Sequence, residues 1–112
     1  MQAQEFNTLV ESQCQGIMAL CQQKATEYVG MDQDRLGNFK RAAQLLGCTP
    51  ERALAGFMAK HIQALYDFIR DLEAGRDRPL PQWDEKTGDI ILYCMLLKGL
   101  LVERYAGGEI KP

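Results

Sequence analysis

Helical periodicity along almost the whole chain is the feature that most limits what this sequence can fold into. Apolar residues recur at steps of three or four from Phe6 to Tyr28 and in three later segments. Strand signals are missing from the sequence, which has no alternating β-branched run and no Asn-Gly hairpin turn. The sequence therefore predicts an all-α fold, a bundle of about four helices.

Capping residues and helix breakers set the expected ends of these helices. Gly30 and Gly47 follow two of the periodic segments, in the position where glycine commonly ends a helix. Thr49-Pro50 is a start signal, with a hydroxyl cap and a proline in the first turn. Segment 74–81 contains a glycine and two prolines and is expected to be a loop. The first expected helix covers about residues 4–29, and the second begins at Asp32 or Asp34 and ends at Leu46. The third runs from Thr49 to Leu72, and the fourth from near Asp84 to about Arg104.

Length and composition indicate one domain. The chain has 112 residues, and single domains usually have about 100–150. We expect a single helical domain over residues 1–112, with a core at 4–105 and a frayed tail at 106–112 that contains Gly107-Gly108.

Charge and hydropathy exclude several classes of function. The 13 basic and 15 acidic residues leave a net charge of −2, which argues against extended nucleic-acid binding and a polybasic membrane anchor. The longest apolar run, 90–97, has eight residues, whereas a membrane span needs about 20. Residues 1–13 do not resemble a secretion signal. We expect a cytoplasmic protein without membrane contact.

The apolar run 90–97 also predicts an interface. This segment lies in the middle of the fourth helix and is apolar on every side, as in helices that are buried all round. In a chain this small, it would lie at the centre of the bundle or between subunits. A homo-oligomer, with a dimer as the simplest form, is therefore expected.

Cysteine spacing gives no metal or disulfide framework. The four cysteines contain no CxxC pair and the chain has one histidine, whereas zinc sites use close pairs of such ligands. Buried, reduced thiols are the expectation.

Four carboxylates are the strongest candidates for chemistry. Asp67 and Asp71 share a face of the third helix, and Glu85 and Asp89 share a face of the fourth. A turn centred near residue 78 would place Asp67 opposite Asp89 and Asp71 opposite Glu85. Such a cluster needs a cation, and its oxygen ligands suit Mg²⁺, which can hold phosphates. Without a cation, at least one of these carboxyls should have a raised pKa. Alternatively, the acids are solvated or neutralised by nearby arginines.

Lys60 and His61 are the second candidate feature. His61 falls on the apolar stripe of the third helix, where a hydrogen-bonded core histidine is the simplest interpretation. Lys60 falls on the same stripe as Asp67 and Asp71. It would either bind a phosphate or neutralise these acids.

Three motifs together carry a family resemblance. The first is Lys24 and Tyr28 followed by DRLGNFK at 34–40. The second is Lys60-His61 with Asp67, and the third is Glu85, Asp89 and Tyr93 on one helix. This combination, over roughly residues 24–102, resembles a family of small all-helical phage and prophage proteins described as nucleotide-modification-associated.

The third and fourth helices are also similar, more distantly, to MazG-like nucleoside triphosphate pyrophosphohydrolases. Those enzymes carry an ExxE pair and a later ExxD pair that bind Mg²⁺ and the triphosphate. In this sequence both acidic pairs are spaced four apart, and Lys86 stands where the glutamate of ExxD would align. The departure favours binding without turnover.

These resemblances imply a nucleotide-binding protein with Mg²⁺ as its cofactor and, if it is an enzyme, a metal-dependent nucleotide pyrophosphohydrolase. The alternative is a non-catalytic phage interaction or anti-defence protein that binds a host protein or sequesters a nucleotide signal. The candidate residues are Asp67, Glu85 and Asp89 for catalysis; Asp67, Asp71, Glu85 and Asp89 for the metal; and Lys60, His61, Asp34, Asn38 and Tyr93 for the ligand.

Overall fold

The computed structural model describes residues 1–27 and 34–106, and these ranges contain helices and no strand. The all-α prediction is therefore confirmed. The elements are α1 (Ala3–Glu27), α2 (Gly37–Leu46), α3 (Pro50–Glu73) and α4 (Leu80–Ala106).

The chain divides into two compact units. Met1–Arg35 contains α1, on which Phe6 and Val10 are 55% and 41% exposed. Leu36–Pro112 contains α2, α3 and α4, with α3 packed against both of the other helices. The expectation of one domain with a core at 4–105 stays a prediction.

The ends of α2 and α3 follow local capping chemistry. Thr49 is the N-cap of α3 as predicted, and its Oγ1 accepts a hydrogen bond from the Arg52 backbone N–H at 3.1 Å. Gly47 ends α2 with φ +68°, a left-handed conformation that glycine adopts without strain. The N-cap of α2 is Leu36, which makes no side-chain cap bond, so the prediction of Asp34 as the cap is wrong.

Three expectations fall wholly or partly outside the described residues. Gly30 as the end of α1 and Asp32 as a cap both lie there. So does most of the expected frayed tail, 107–112, whereas Ala106 belongs to α4.

The fourth helix begins earlier than predicted, at Leu80 rather than near Asp84. Pro81 lies in its first turn, where the missing backbone N–H costs no helical hydrogen bond. The Trp83 ring then packs against Phe68 of α3 in a T-shaped contact, at 5.4 Å between centroids. The connection is therefore 74–79 instead of 74–81, and the turn is centred at residues 76–77.

The core of the second unit lies where α3 crosses its two neighbours. Leu54 is 1% exposed and packs with Leu36, Phe39 and Leu100. Met58, Tyr93, Leu96 and Leu97 extend this cluster.

Two ion pairs lie at the end of the second unit that is opposite the 74–79 connection. The Arg104 guanidinium donates from Nε to Glu51 Oε2 at 2.9 Å and from Nη2 to Oε1 at 2.8 Å. Lys40 pairs with Glu103 at 2.9 Å. Together these pairs fix the last turns of α4 to both α2 and α3.

Helix α4 is not buried on every side within the chain. Leu92 and Leu100 are buried, whereas Ile91 and Met95 are 39% and 52% exposed. The expectation of a fully enclosed helix is wrong for the single chain, because α2 and α3 cover one side of α4 only.

Within residues 1–27 and 34–106, no helix combines the length and the hydropathy of a membrane span.

The cysteines differ from expectation in burial. All four thiols are free, but Cys14 and Cys94 are exposed and Cys21 and Cys48 are half-buried.

Candidate functional site

Three of the predicted site residues meet between α3 and α4. His61 projects from α3, and Asp89 and Tyr93 lie one turn apart on the facing side of α4. The rings of His61 and Tyr93 are 5.0 Å apart between centroids. We call His61, Asp89 and Tyr93 the α3–α4 site.

A close contact links the histidine to the aspartate. His61 Nδ1 lies 3.4 Å from Asp89 Oδ2, and the two side chains are 27% and 30% exposed. Nδ1 itself is buried and makes no hydrogen bond of ordinary geometry. Because Nδ1 faces Asp89, Nε2 is the ring nitrogen left for an external group.

An aromatic ring from α2 supports the α3–α4 site on its core side. The Tyr93 ring makes an edge contact with Phe39 of α2 at 6.4 Å, on the side of Tyr93 that faces the core. Helices α2, α3 and α4 thus all contribute to holding Tyr93, so the ring is positioned by tertiary packing rather than by its own helix alone.

The structure does not bring the four predicted carboxylates together. Asp89 contacts His61 on the facing side of α3. Asp67 and Glu85 are exposed, and Asp67 has Arg70 at 3.9 Å. Across residues 1–27 and 34–106, no group of three or more His, Cys, Asp or Glu side chains could hold a metal ion. The four predicted carboxylates therefore do not form such a group.

Asp71 has a structural environment of its own. Its Oδ2 pairs with Arg78 Nη2 at 2.8 Å, and its Oδ1 accepts from Arg76 Nη2 at 3.3 Å. The Arg78 guanidinium also lies 3.9 Å from the centre of the Phe68 ring. These contacts fasten the 74–79 connection to the end of α3, a role that needs no ligand.

The same arginines set the titration of Asp71. Hydrogen bonds from Arg78 and, second, from Arg76 lower the pKa of this carboxyl below its ordinary value of 3.8. The shift is opposite in direction to the one that like-charge repulsion was expected to produce.

Replacing Asp71 by asparagine is expected to reduce the free energy of unfolding at neutral pH and to weaken its dependence on acid. A carboxyl with a lowered folded-state pKa stabilises the fold above its unfolded pKa, and this contribution is lost as the pH falls below about 4. Urea unfolding at a series of pH values measures the effect. The difference between wild type and Asp71→Asn should vanish at the acid end, and Asp67→Asn is the matched control. Equal pH dependence in wild type and Asp71→Asn would contradict the assignment.

The other predicted ligand residues lie apart from the α3–α4 site or beside it. Lys60 is exposed on α3, next to His61 in the chain. Asn38 is exposed on α2, where its Oδ1 accepts a hydrogen bond from Arg41 Nη2 at 2.7 Å. Asp34 is exposed and belongs to the first unit, just before α2.

Sequence reasoning missed two residues around the α3–α4 site. Phe39 supports Tyr93, and Lys86 is half-buried three residues before Asp89, so it lies on the same side of α4. The spacing of Lys86, Asp89 and Tyr93 by three and four positions indicates, from the sequence, that they share one side of α4. In the sequence-based hypothesis Lys86 is only a departure from a metal motif.

Comparisons with protein-family models, with curated proteins and with solved structures found no match to this chain. The resemblance to phage nucleotide-modification-associated and MazG-like proteins therefore stays a prediction.

Proposed function

We propose that the protein binds a nucleotide without hydrolysing it, at the α3–α4 site. The observation that carries this proposal is the meeting of His61, Asp89 and Tyr93, with Asp89 Oδ2 at 3.4 Å from His61 Nδ1. A histidine ring can donate a hydrogen bond to a phosphate oxygen, and the Asp89 carboxylate next to Nδ1 orients this ring.

Two lysines close to these residues in the sequence carry further positive charge. Lys60 precedes His61 on α3, and Lys86 lies one turn before Asp89 on α4. An ammonium on each helix suits a ligand with several negative oxygens, such as a nucleoside triphosphate. The Tyr93 ring offers an aromatic surface at the same place, and aromatic side chains commonly stack on bases.

Hydrolysis is not part of the proposal because of where the acids lie. Metal-assisted attack on a phosphate needs carboxylates that hold Mg²⁺ next to the reacting bond. Asp71 is occupied by Arg76 and Arg78, and Asp67 and Glu85 are exposed. Mg²⁺ would then enter as the counterion of a bound triphosphate rather than on a four-carboxylate site.

Calorimetric titration of the full chain with ribonucleoside and deoxyribonucleoside triphosphates, with and without Mg²⁺, tests the proposal. We expect binding of at least one nucleotide without release of pyrophosphate. His61→Gln and Asp89→Asn should each weaken it by about tenfold or more, the effect of losing a hydrogen bond to a charged group. Asp67→Asn, which removes an exposed carboxylate of α3, is the matched control and should bind like wild type.

Two results would contradict the proposal. Mg²⁺-dependent release of pyrophosphate that Asp67→Asn abolishes would instead support the pyrophosphohydrolase hypothesis. Absence of binding to every nucleotide tested would leave the non-catalytic interaction protein as the better hypothesis.

A second candidate function is binding of a host protein, as in the phage anti-defence hypothesis. The observation that favours it is an apolar surface at the end of α2, where Leu45 and Leu46 are 88% and 71% exposed. Leu46 also borders an open groove of about 490 Å³ next to Arg52 and Gly56 of α3. Leu45→Glu with Leu46→Glu should abolish binding of a host protein while leaving nucleotide binding unchanged. A host complex that survives this double substitution would refute this surface as the binding site.

A further inference from the structure

The outer side of α4 carries a row of exposed residues at helical spacing. Its large apolar members are Leu80, Ile91, Met95 and Val102, which are 69%, 39%, 52% and 55% exposed. Asp84, Thr87 and Lys98 lie in the same row and are also exposed. We call these residues the outer face of α4. They are separated by three, four or seven positions, so they follow one side of the helix.

This face points away from the core of the second unit. Leu100 and Tyr93, on the opposite side of α4, pack against α2 and α3. The α3–α4 site is on that inner side too, so a partner on the outer face would not cover it. The two surfaces can therefore be tested independently of each other.

The outer face is complementary to itself when two copies run antiparallel. If Ile91 of each copy lies on the two-fold axis, Asp84 of one helix falls opposite Lys98 of the other, and Leu80 falls opposite Val102. Met95 then falls opposite Thr87. Each of these pairs occurs twice, as in any isologous interface. Opposite charges thus meet at two positions, with apolar contacts at the axis and at both ends.

We propose that the chain forms an antiparallel homodimer through the outer face of α4, with Ile91 on the two-fold axis. The charges select this orientation. A parallel pair in register would place Asp84 against Asp84 and Lys98 against Lys98, and facing like charges are unfavourable. The row from Leu80 to Val102 spans about 33 Å at 1.5 Å per residue, which allows contact along six turns of helix.

Sedimentation equilibrium of the full chain tests whether this face forms the dimer. Wild type should sediment as a dimer, and Ile91→Glu should shift it towards monomer by about a hundredfold in dissociation constant, because two carboxylates would meet at the centre of a desolvated contact. Tyr66→Glu, at a residue of α3 that is 64% exposed, is the matched control and should stay dimeric. Circular dichroism of each variant establishes that the helices are intact.

A charge-exchange series tests the orientation. Asp84→Lys and Lys98→Asp should each weaken the dimer by about tenfold, because each replaces two attractive pairs with two repulsive ones. The double variant Asp84→Lys/Lys98→Asp restores both attractive pairs and should recover the wild-type dissociation constant. A parallel dimer would not show this recovery, since the double variant would still place like charges together.

Three outcomes would overturn the proposal. They are a monomeric wild type at all concentrations, a dimer that Ile91→Glu leaves unchanged, and failure of the double charge exchange to restore association. A complex with a different protein that Ile91→Glu disrupts, from a wild type that is itself monomeric, would assign the outer face to that partner instead. None of these outcomes bears on nucleotide binding, which the His61 and Asp89 variants measure.

Discussion

Replacing Leu54 by alanine is expected to lower the free energy of unfolding by about 2–5 kcal/mol, the range for a buried leucine that leaves a cavity. Leu54 is 1% exposed and contacts the core residues contributed by α2 and α4. Its truncation therefore weakens both interfaces of α3 at once. Urea unfolding followed by circular dichroism, at one fixed protein concentration, measures the change.

Leu45 provides the control for this substitution. It has the same side chain but is 88% exposed, so Leu45→Ala should change the free energy of unfolding by no more than about 0.5 kcal/mol. If Leu54→Ala cost as little as Leu45→Ala, the core described above would be wrong.

Replacing Phe39 by alanine is expected to cost about 3–5 kcal/mol and to loosen α2 in particular. Phe39 is 6% exposed, and its ring contacts Phe57 of α3 at 5.9 Å and Tyr93 of α4 at 6.4 Å. It is therefore the aromatic anchor of a ten-residue helix, too short to be stable alone. Hydrogen exchange should show that Phe39→Ala speeds the exchange of the α2 amides, relative to wild type, more than that of the α3 and α4 amides.

Phe57→Ala is the matched control, because Phe57 is the other half of the same ring contact but is 44% exposed. We expect this change to cost about 1 kcal/mol, near the average for a point substitution. Uniform loss of protection across α2, α3 and α4 in Phe39→Ala would contradict the local role of this ring.

The helices could be predicted from the sequence because their signals are local. Thr49-Pro50 and Gly47 fix the start of α3 and the end of α2 through capping chemistry within a few residues. The start of α2 could not be predicted in this way. Leu36 holds that position, and it is buried against the neighbouring helices rather than capped by its own side chain.

The candidate site could be predicted only as a set of residues. His61, Asp89 and Tyr93 were each candidates, but which residue lies opposite Asp89 depends on the register of α4 against α3. That register follows from Pro81 inside the helix and from the packing of Trp83 on Phe68. These are tertiary contacts, which periodicity within one helix does not encode. The His61–Asp89 pair is centred on residue 75 rather than on the expected 78, so a histidine contacts Asp89.

The short connections of the second unit have a consequence for how fast it folds. Helices α2 and α3 are joined by 47–49, and α3 and α4 by 74–79, so closing either hairpin costs little chain entropy. The Phe68–Trp83 contact lies next to the 74–79 connection and joins residues that are close in sequence. Glu51 and Arg104, at the other end of the α3–α4 pair, are 53 positions apart. We expect contacts to form from the turn towards that open end. Helical folds with such local contacts form within about microseconds to milliseconds, so the apolar side chains on the inner side of α4 are covered soon after this helix has been synthesised.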